Sequence, residues 1–166
     1  MFGILEIDET FGMGKRGGRS PWTSIPGIHQ THNTLVDMYR DKVLVMGSRT
    51  FMTMPMNRWN PARRYVVVTL YPEKFERYTK SMRNVEFVTL EQLQSTNTDD
   101  YVLLGGHTMF RLLYDQLNEL CVISIYRDYG DSDIYASDFL DPYDWKSVEY
   151  ADMKNNGYTI TKLNRI

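Results

Sequence analysis

Twice in this chain a short apolar run stops at glycine and hands over to a segment with helical spacing. The clearer case is Tyr101-Val102-Leu103-Leu104-Gly105-Gly106-His107-Thr108-Met109-Phe110, after which Met109, Phe110, Leu112, Leu113 and Leu117 recur at helical intervals. The other is Val43-Leu44-Val45-Met46-Gly47, followed by Ser48-Arg49-Thr50-Phe51. Apolar runs this short suit strands buried on both faces, the pattern of a parallel sheet covered by helices. Glycine at the junction turns the chain sharply and also lets a flat or charged ligand approach the backbone. The N–H groups that follow favour an anion, and Arg49 and Thr50 are placed to grip one. Turning the chain and admitting a ligand are both compatible with the junction alone.

The remaining periodic segments extend this plan. Phe2 to Ile7, Tyr65 to Thr69, Val85 to Val88 and Glu119 to Tyr126 read as strands, with Gly157 to Leu163 as an antiparallel partner for the last. Ile28 to Tyr39 reads as a helix with Ile28, Leu35, Met38 and Tyr39 on its apolar side. Thr89 caps a helix through Gln94, with Gln92 completing a capping box. Strands alternating with helices, then two terminal strands without a helix between them, predict an α/β fold. Its central sheet is mostly parallel, with an antiparallel C-terminal edge and flanking helices. A length of 166 residues suits one domain, residues 1–166, with a substantial core.

Several function classes are disfavoured at once. A net charge of −2 and a pI near 5.9 give no nucleic-acid footprint. No apolar run reaches membrane-spanning length, and the N-terminus lacks a signal peptide's order. The single cysteine, Cys121, lies in the apolar run Leu120 to Ile123 and reads as a small core residue. These features fit a soluble protein of a reducing compartment, the cytoplasm; a monomer or homodimer is expected, with nothing in the sequence to choose between them. Phe11 to Trp22 is rich in glycine, too irregular for helix or strand, and lacks the ending of a P-loop; it reads as a mobile lid closed by Pro21-Trp22. His29 and His32 sit one turn apart, a spacing that can bind metal, but no third ligand is near, so no metal is expected.

Glu6 interrupts an otherwise apolar strand. A carboxylate there costs several kcal/mol unless it is paired, protonated or facing a cavity. It is either an exposed edge residue, like Asp8 and Glu9 nearby, or a functional acid.

Taken in order, the motifs resemble those of dihydrofolate reductase over nearly the whole chain. Gly12-Met13-Gly14-Lys15 with Pro21-Trp22 resembles that family's mobile loop, and Val45 to Phe51 its cofactor-phosphate segment. Met54-Pro55 with Pro61-Ala62-Arg63, the pair Gly105-Gly106 through Phe110, and Asp131 with Trp145 resemble the later motifs. The resemblance implies hydride transfer from NADPH to dihydrofolate, with a proton delivered to N5 of the pterin. It implies that Gly14, Gly47, Arg49, Thr50, Thr69, Gly105, Gly106, Thr108, Met109 and Phe110 meet the cofactor. Ile4, Leu5, Glu6, Ile28, Leu35, Met54 and Ile123 would form the pterin side with Trp22, and Arg63 would bind the carboxylate of the substrate's glutamate tail.

One departure bears on the chemistry. The family places an Asp or Glu five or six residues after this Trp, whereas Thr23 to His32 contains no carboxylate. A threonine near Ile123 that supports that acid is also absent. Glu6 is the replacement that the strand offers, entering the pocket from the opposite wall, and burial would raise its pKa toward neutrality. On this reading Glu6 and Trp22 are the catalytic residues. The alternatives are a reductase of the same fold acting on another heterocycle, as in the riboflavin pathway, and an inactive binding or structural homologue with a tyrosine-rich tail.

Overall fold

The computed structural model describes every residue except Gly17, Arg19, Lys154 and Asn155, and gives Asp152 and Met153 as backbone. Gly17 and Arg19, part of the expected lid, therefore lie outside the described residues. In chain order the elements begin with β1 (Phe2–Ile7), β2 (Gly12–Gly14), α1 (Ile28–Met38), β3 (Val43–Gly47), α2 (Ser48–Thr53) and β4 (Tyr65–Val68). Next come α3 (Glu76–Ser81), β5 (Val85–Val88), α4 (Leu90–Gln94), β6 (Tyr101–Gly105), α5 (His107–Leu113) and β7 (Glu119–Ile125). The last three are β8 (Ile134–Tyr135), β9 (Trp145–Met153) and β10 (Tyr158–Arg165).

Eight strands form one sheet in the order β5-β4-β3-β6-β1-β7-β10-β9. Pairing is parallel from β5 through β7, and β10 runs antiparallel to both β7 and β9. The expected α/β plan is thus the observed one, with an additional edge strand, β9, that its alternating polar sequence did not announce.

Strand periodicity of two divides the core between the faces of the sheet. Val43 and Val45 of β3, with Val66 and Val68 of β4, pack on the face carrying Leu93, Met109, Phe110 and Leu113 from α4 and α5. Leu44, Met46, Tyr65 and Val67 pack on the other face, against Ile28, Leu35 and Val36 of α1. Removing a side chain as well enclosed as Leu103 or Leu44 would cost roughly 2–5 kcal/mol, so both faces hold the sheet rigid beneath the site.

Three local expectations need correction. The apolar side of α1 is Ile28, His32, Leu35 and Val36, while Met38 is 62% exposed, because the helix turns that position away from the sheet. Leu112 is half-exposed for the same reason, and Leu117 packs in the core from beyond the end of α5. The glycine-rich segment is not wholly irregular. Gly12–Gly14 pairs antiparallel with β8, and Pro21–Ser24 forms a 3-10 turn.

Asp8 organises that region, accepting hydrogen bonds from the Thr10 N–H, the Thr10 hydroxyl and the Gly12 N–H at 2.9, 2.8 and 2.7 Å. The capping box is present as expected: Thr89 Oγ1 accepts from the Gln92 N–H, and Gln92 Oε1 accepts from the Thr89 N–H.

Candidate active site

A cleft of about 560 Å³ opens along the carboxyl ends of β1, β3, β4 and β6, where open parallel sheets bind their ligands. One end is bounded by the two glycine junctions. Gly105 has φ +125°, a conformation that side chains rarely adopt, and a Cβ on Gly106 would lie 2.9 Å from Thr50 Oγ1. The backbone of the pair is therefore bare by necessity, leaving a close approach for a ligand. Arg49, Thr50, Thr69 and Thr108 line this end together with His107 and Arg111. The helices α2 and α5 are only six and seven residues long, so cationic and hydroxyl side chains would have to supply most of the attraction for any anion bound here.

The other end is built on Glu6. Alternation along β1 puts Glu6 on the same side of the sheet as Ile4, facing α1. From α1, His32 follows Ile28 by one turn and meets the same spot. Trp22 Nε1 donates to Glu6 Oε2 at 2.8 Å, and His32 Nδ1 lies 3.0 Å from Oε1. A carboxylate only accepts, so His32 carries its proton on Nδ1 in that contact. Arg58, from the 3-10 turn Met56–Arg58, brings Nη1 within 2.8 Å of the same oxygen. Arg58 Nε in turn donates to His29 Nδ1 at 2.8 Å. Burial, then the Arg58 charge, lowers the pKa of His29 and leaves it neutral and able to accept.

The expected direction of the Glu6 pKa is thereby reversed. Burial pushes it up, but the His32 hydrogen bond, the Arg58 charge and the Trp22 N–H together outweigh that and hold it at about 2. Glu6 is neither an exposed edge residue nor a protonated acid. It is a buried, ionised acceptor whose charge Arg58 compensates. The two histidines weighed as metal ligands are both engaged in this network.

Of the residues singled out from the sequence, the cleft gathers Ile4, Leu5, Glu6, Gly47, Arg49, Thr50, Met54, Thr69, Gly105, Gly106, Thr108, Met109 and Phe110. Trp22, Ile28, Leu35 and Ile123 are core residues outside its lining, Trp22 reaching the site only through its N–H to Glu6. Gly14 is likewise outside the lining, held by its N–H to Ser132 Oγ at 3.1 Å. Arg63 is 6% exposed and also lies outside the cleft. Its terminal nitrogens donate to the carbonyls of Val36, Tyr39 and Lys42.

Arg58 had no periodic signal, because it sits in a turn. His32 had one, being a polar residue at the apolar position one turn after Ile28. Loop contacts complete the site: Lys15 pairs with Asp131 at 2.9 Å, and the Arg16 N–H donates to Asp133 Oδ1 at 2.7 Å.

Comparison with known proteins gives the family and the fold. A sequence model of the family described as dihydrofolate reductase matches residues 13–165. No curated protein sequence matches the chain. Among solved structures, a dihydrofolate reductase from Enterococcus faecalis, complexed with NADP(H) and RAB-propyl, superposes with a TM-score of 0.75 at 21% identity. The match covers 99% of this chain and 95% of that one, and at this identity it speaks to the fold.

Proposed function

This chain belongs to the dihydrofolate reductase family, and on that premise we propose that it reduces 7,8-dihydrofolate to tetrahydrofolate with NADPH. It is an NADPH-dependent oxidoreductase, and its small-molecule substrate occupies the cleft. The observation that carries this reading is a single cleft joining the bare glycine pair and its anion-binding side chains to a buried carboxylate on β1.

The glycine end fits a dinucleotide phosphate: Gly105 and Gly106 leave the backbone open, and Arg49, Thr50 and Thr108 would hold phosphate oxygens. When bound, the cofactor supplies the hydride. Glu6 takes the place of the helix carboxylate as a hydrogen-bond acceptor for the ring, with Trp22 as its positioning residue. Held ionised at neutral pH, Glu6 serves as an acceptor and is not the donor of the proton that N5 receives. The walls Ile4, Leu5 and Met54 supply apolar contact to the ring.

One observation favours a second reading. With Nη1 and Nη2 of Arg63 donating to main-chain carbonyls, only its buried Nε is without a partner among the described residues, which leaves no two-nitrogen fork for a glutamate tail and suits a same-fold reductase of another heterocycle. Among the described residues no helix is long and apolar enough to cross a membrane. A cytoplasmic monomer or homodimer acting as one unit over residues 1–166 is part of the same proposal.

Loss of NADPH absorbance on adding dihydrofolate tests this reading, in wild type and in Glu6→Gln. We expect turnover in wild type and, from the loss of a charged hydrogen-bond acceptor of about 1.5–3 kcal/mol, a fall in kcat/KM of roughly 10- to 150-fold in the variant. Equal turnover would keep the reductase and remove Glu6 from its mechanism. Oxidation with a pyrimidine substrate but not with dihydrofolate would establish the second reading.

A further inference from the structure

The Glu6–Arg58 pair leaves two hydrogen-bonding positions without a partner among the described residues. Arg58 is held at two nitrogens, Nε on His29 and Nη1 on Glu6, and its side chain is 9% exposed. Its third nitrogen, Nη2, is buried and has no partner among the described residues. Buried donors in native structures are paired, and a charged donor left bare is especially costly. On the other side of the pair, Oε1 accepts from both His32 and Arg58, whereas Oε2 accepts only from Trp22 among the described residues. An ionised carboxylate offers about four lone-pair sites, so Oε2 keeps one free. Both residues line the cleft. The lining of the cleft thus includes an acceptor with a spare lone pair and a donor without a partner, both belonging to a single ion pair.

Such a pair is complementary to a cis lactam, an N–H beside a C=O. We propose that Glu6 and Arg58 together read the lactam edge of the bound ring, Glu6 Oε2 accepting from N3–H and Arg58 Nη2 donating to the 4-oxo group. The site therefore selects 4-oxo rings over 4-amino rings. This inference rests on the folate reading above. A 4-amino ring in the same orientation inverts the order: an acceptor nitrogen faces Glu6, and an amino donor faces the Arg58 cation. Rejection by mismatched buried polar groups discriminates more sharply than apolar fit. Because His29 and Glu6 fix the guanidinium plane before a ligand arrives, little ordering remains for binding to accomplish.

The test is equilibrium binding of folate and of 4-amino-4-deoxyfolate, which differ only at C4, to the NADPH-bound protein. Wild type, Arg58→Met and Arg58→Lys are compared, with thermal midpoints recorded for each. Wild type should prefer folate. A charge-assisted hydrogen bond of about 1.5–3 kcal/mol predicts that Arg58→Met loses folate affinity by roughly 10- to 150-fold, with the 4-amino ligand unchanged or tighter. Arg58→Lys keeps a cation beside Glu6 without the planar fork, so its folate preference should fall between the two. If Arg58→Met fails to fold, the wild-type preference and the Arg58→Lys ratio decide the matter. A wild type that prefers the 4-amino ligand, or a ratio unchanged in a folded Arg58 variant, overturns the assignment while leaving the folate reading in place. If neither ligand binds wild type although NADPH does, the folate reading itself fails and the lactam contact with it.

Discussion

Replacing Glu6 by Gln probes the buried network most directly, and its effect on stability can be worked from the structure. The carboxyl is ordinarily ionised with a pKa of 4.5, and in the folded protein it is held at about 2. A difference of that size corresponds to about 3 kcal/mol of stability at pH 7, at about 1.4 kcal/mol per pH unit. The sign follows from a folded pKa below the unfolded one. The contribution is fully present above pH 4.5 and is lost as the pH falls through the folded value.

Glutamine imitates the protonated acid in shape and charge, and its amide leaves the Arg58 guanidinium buried without a counter-ion. We therefore expect Glu6→Gln to be less stable than wild type at pH 7 by about 3 kcal/mol, with a thermal midpoint lower by roughly 6–12 °C. The gap should shrink to less than half by pH 3, because wild type loses what the variant never had. Urea denaturation of both proteins at pH 7, 5 and 3, analysed at constant m, measures it. A gap independent of pH, or none at pH 7, would refute the claim that folding holds Glu6 ionised.

Three other outcomes follow from the site. Trp22→Phe removes the N–H on Glu6 Oε2; we expect a loss of about 2 kcal/mol and an acid-unfolding midpoint shifted to higher pH, both read by circular dichroism. Gly106→Ala places a methyl 2.9 Å from Thr50 Oγ1, so NADPH affinity should fall by about 10-fold in a fluorescence titration while the sheet stays folded. Asp133→Ala frees the Arg16 N–H and loosens the glycine-rich loop. Turnover should drop several-fold in stopped-flow assays with a stability change within about 1 kcal/mol.

The sequence by itself determined most of the sheet, though not its edge strand β9, and the residues that follow its strand ends. Buried parallel strands need uninterrupted apolar runs, so β3, β4 and β6 were legible as Val43–Met46, Tyr65–Val68 and Tyr101–Leu104, and glycine marked where two of them turn into helices. The capping box at Thr89 was equally legible, because its partners lie three residues apart. Gly47, Arg49, Thr50, Thr69, Gly105, Gly106 and Thr108 could be placed along the cleft for the same reason: they follow strand ends directly.

Only the tertiary structure decided the state of Glu6. Its partners come from three separate elements, Trp22 sixteen residues away, His32 twenty-six away, and Arg58 in a turn with no periodic pattern. Burial alone would have raised the pKa, and it is the convergence of those distant donors that lowers it. Arg63 makes the same point, since nothing local reveals that its guanidinium meets the carbonyls at the end of α1. Hydrophobic periodicity is a local property of the chain. The charge state of a buried group belongs to whatever the fold gathers around it.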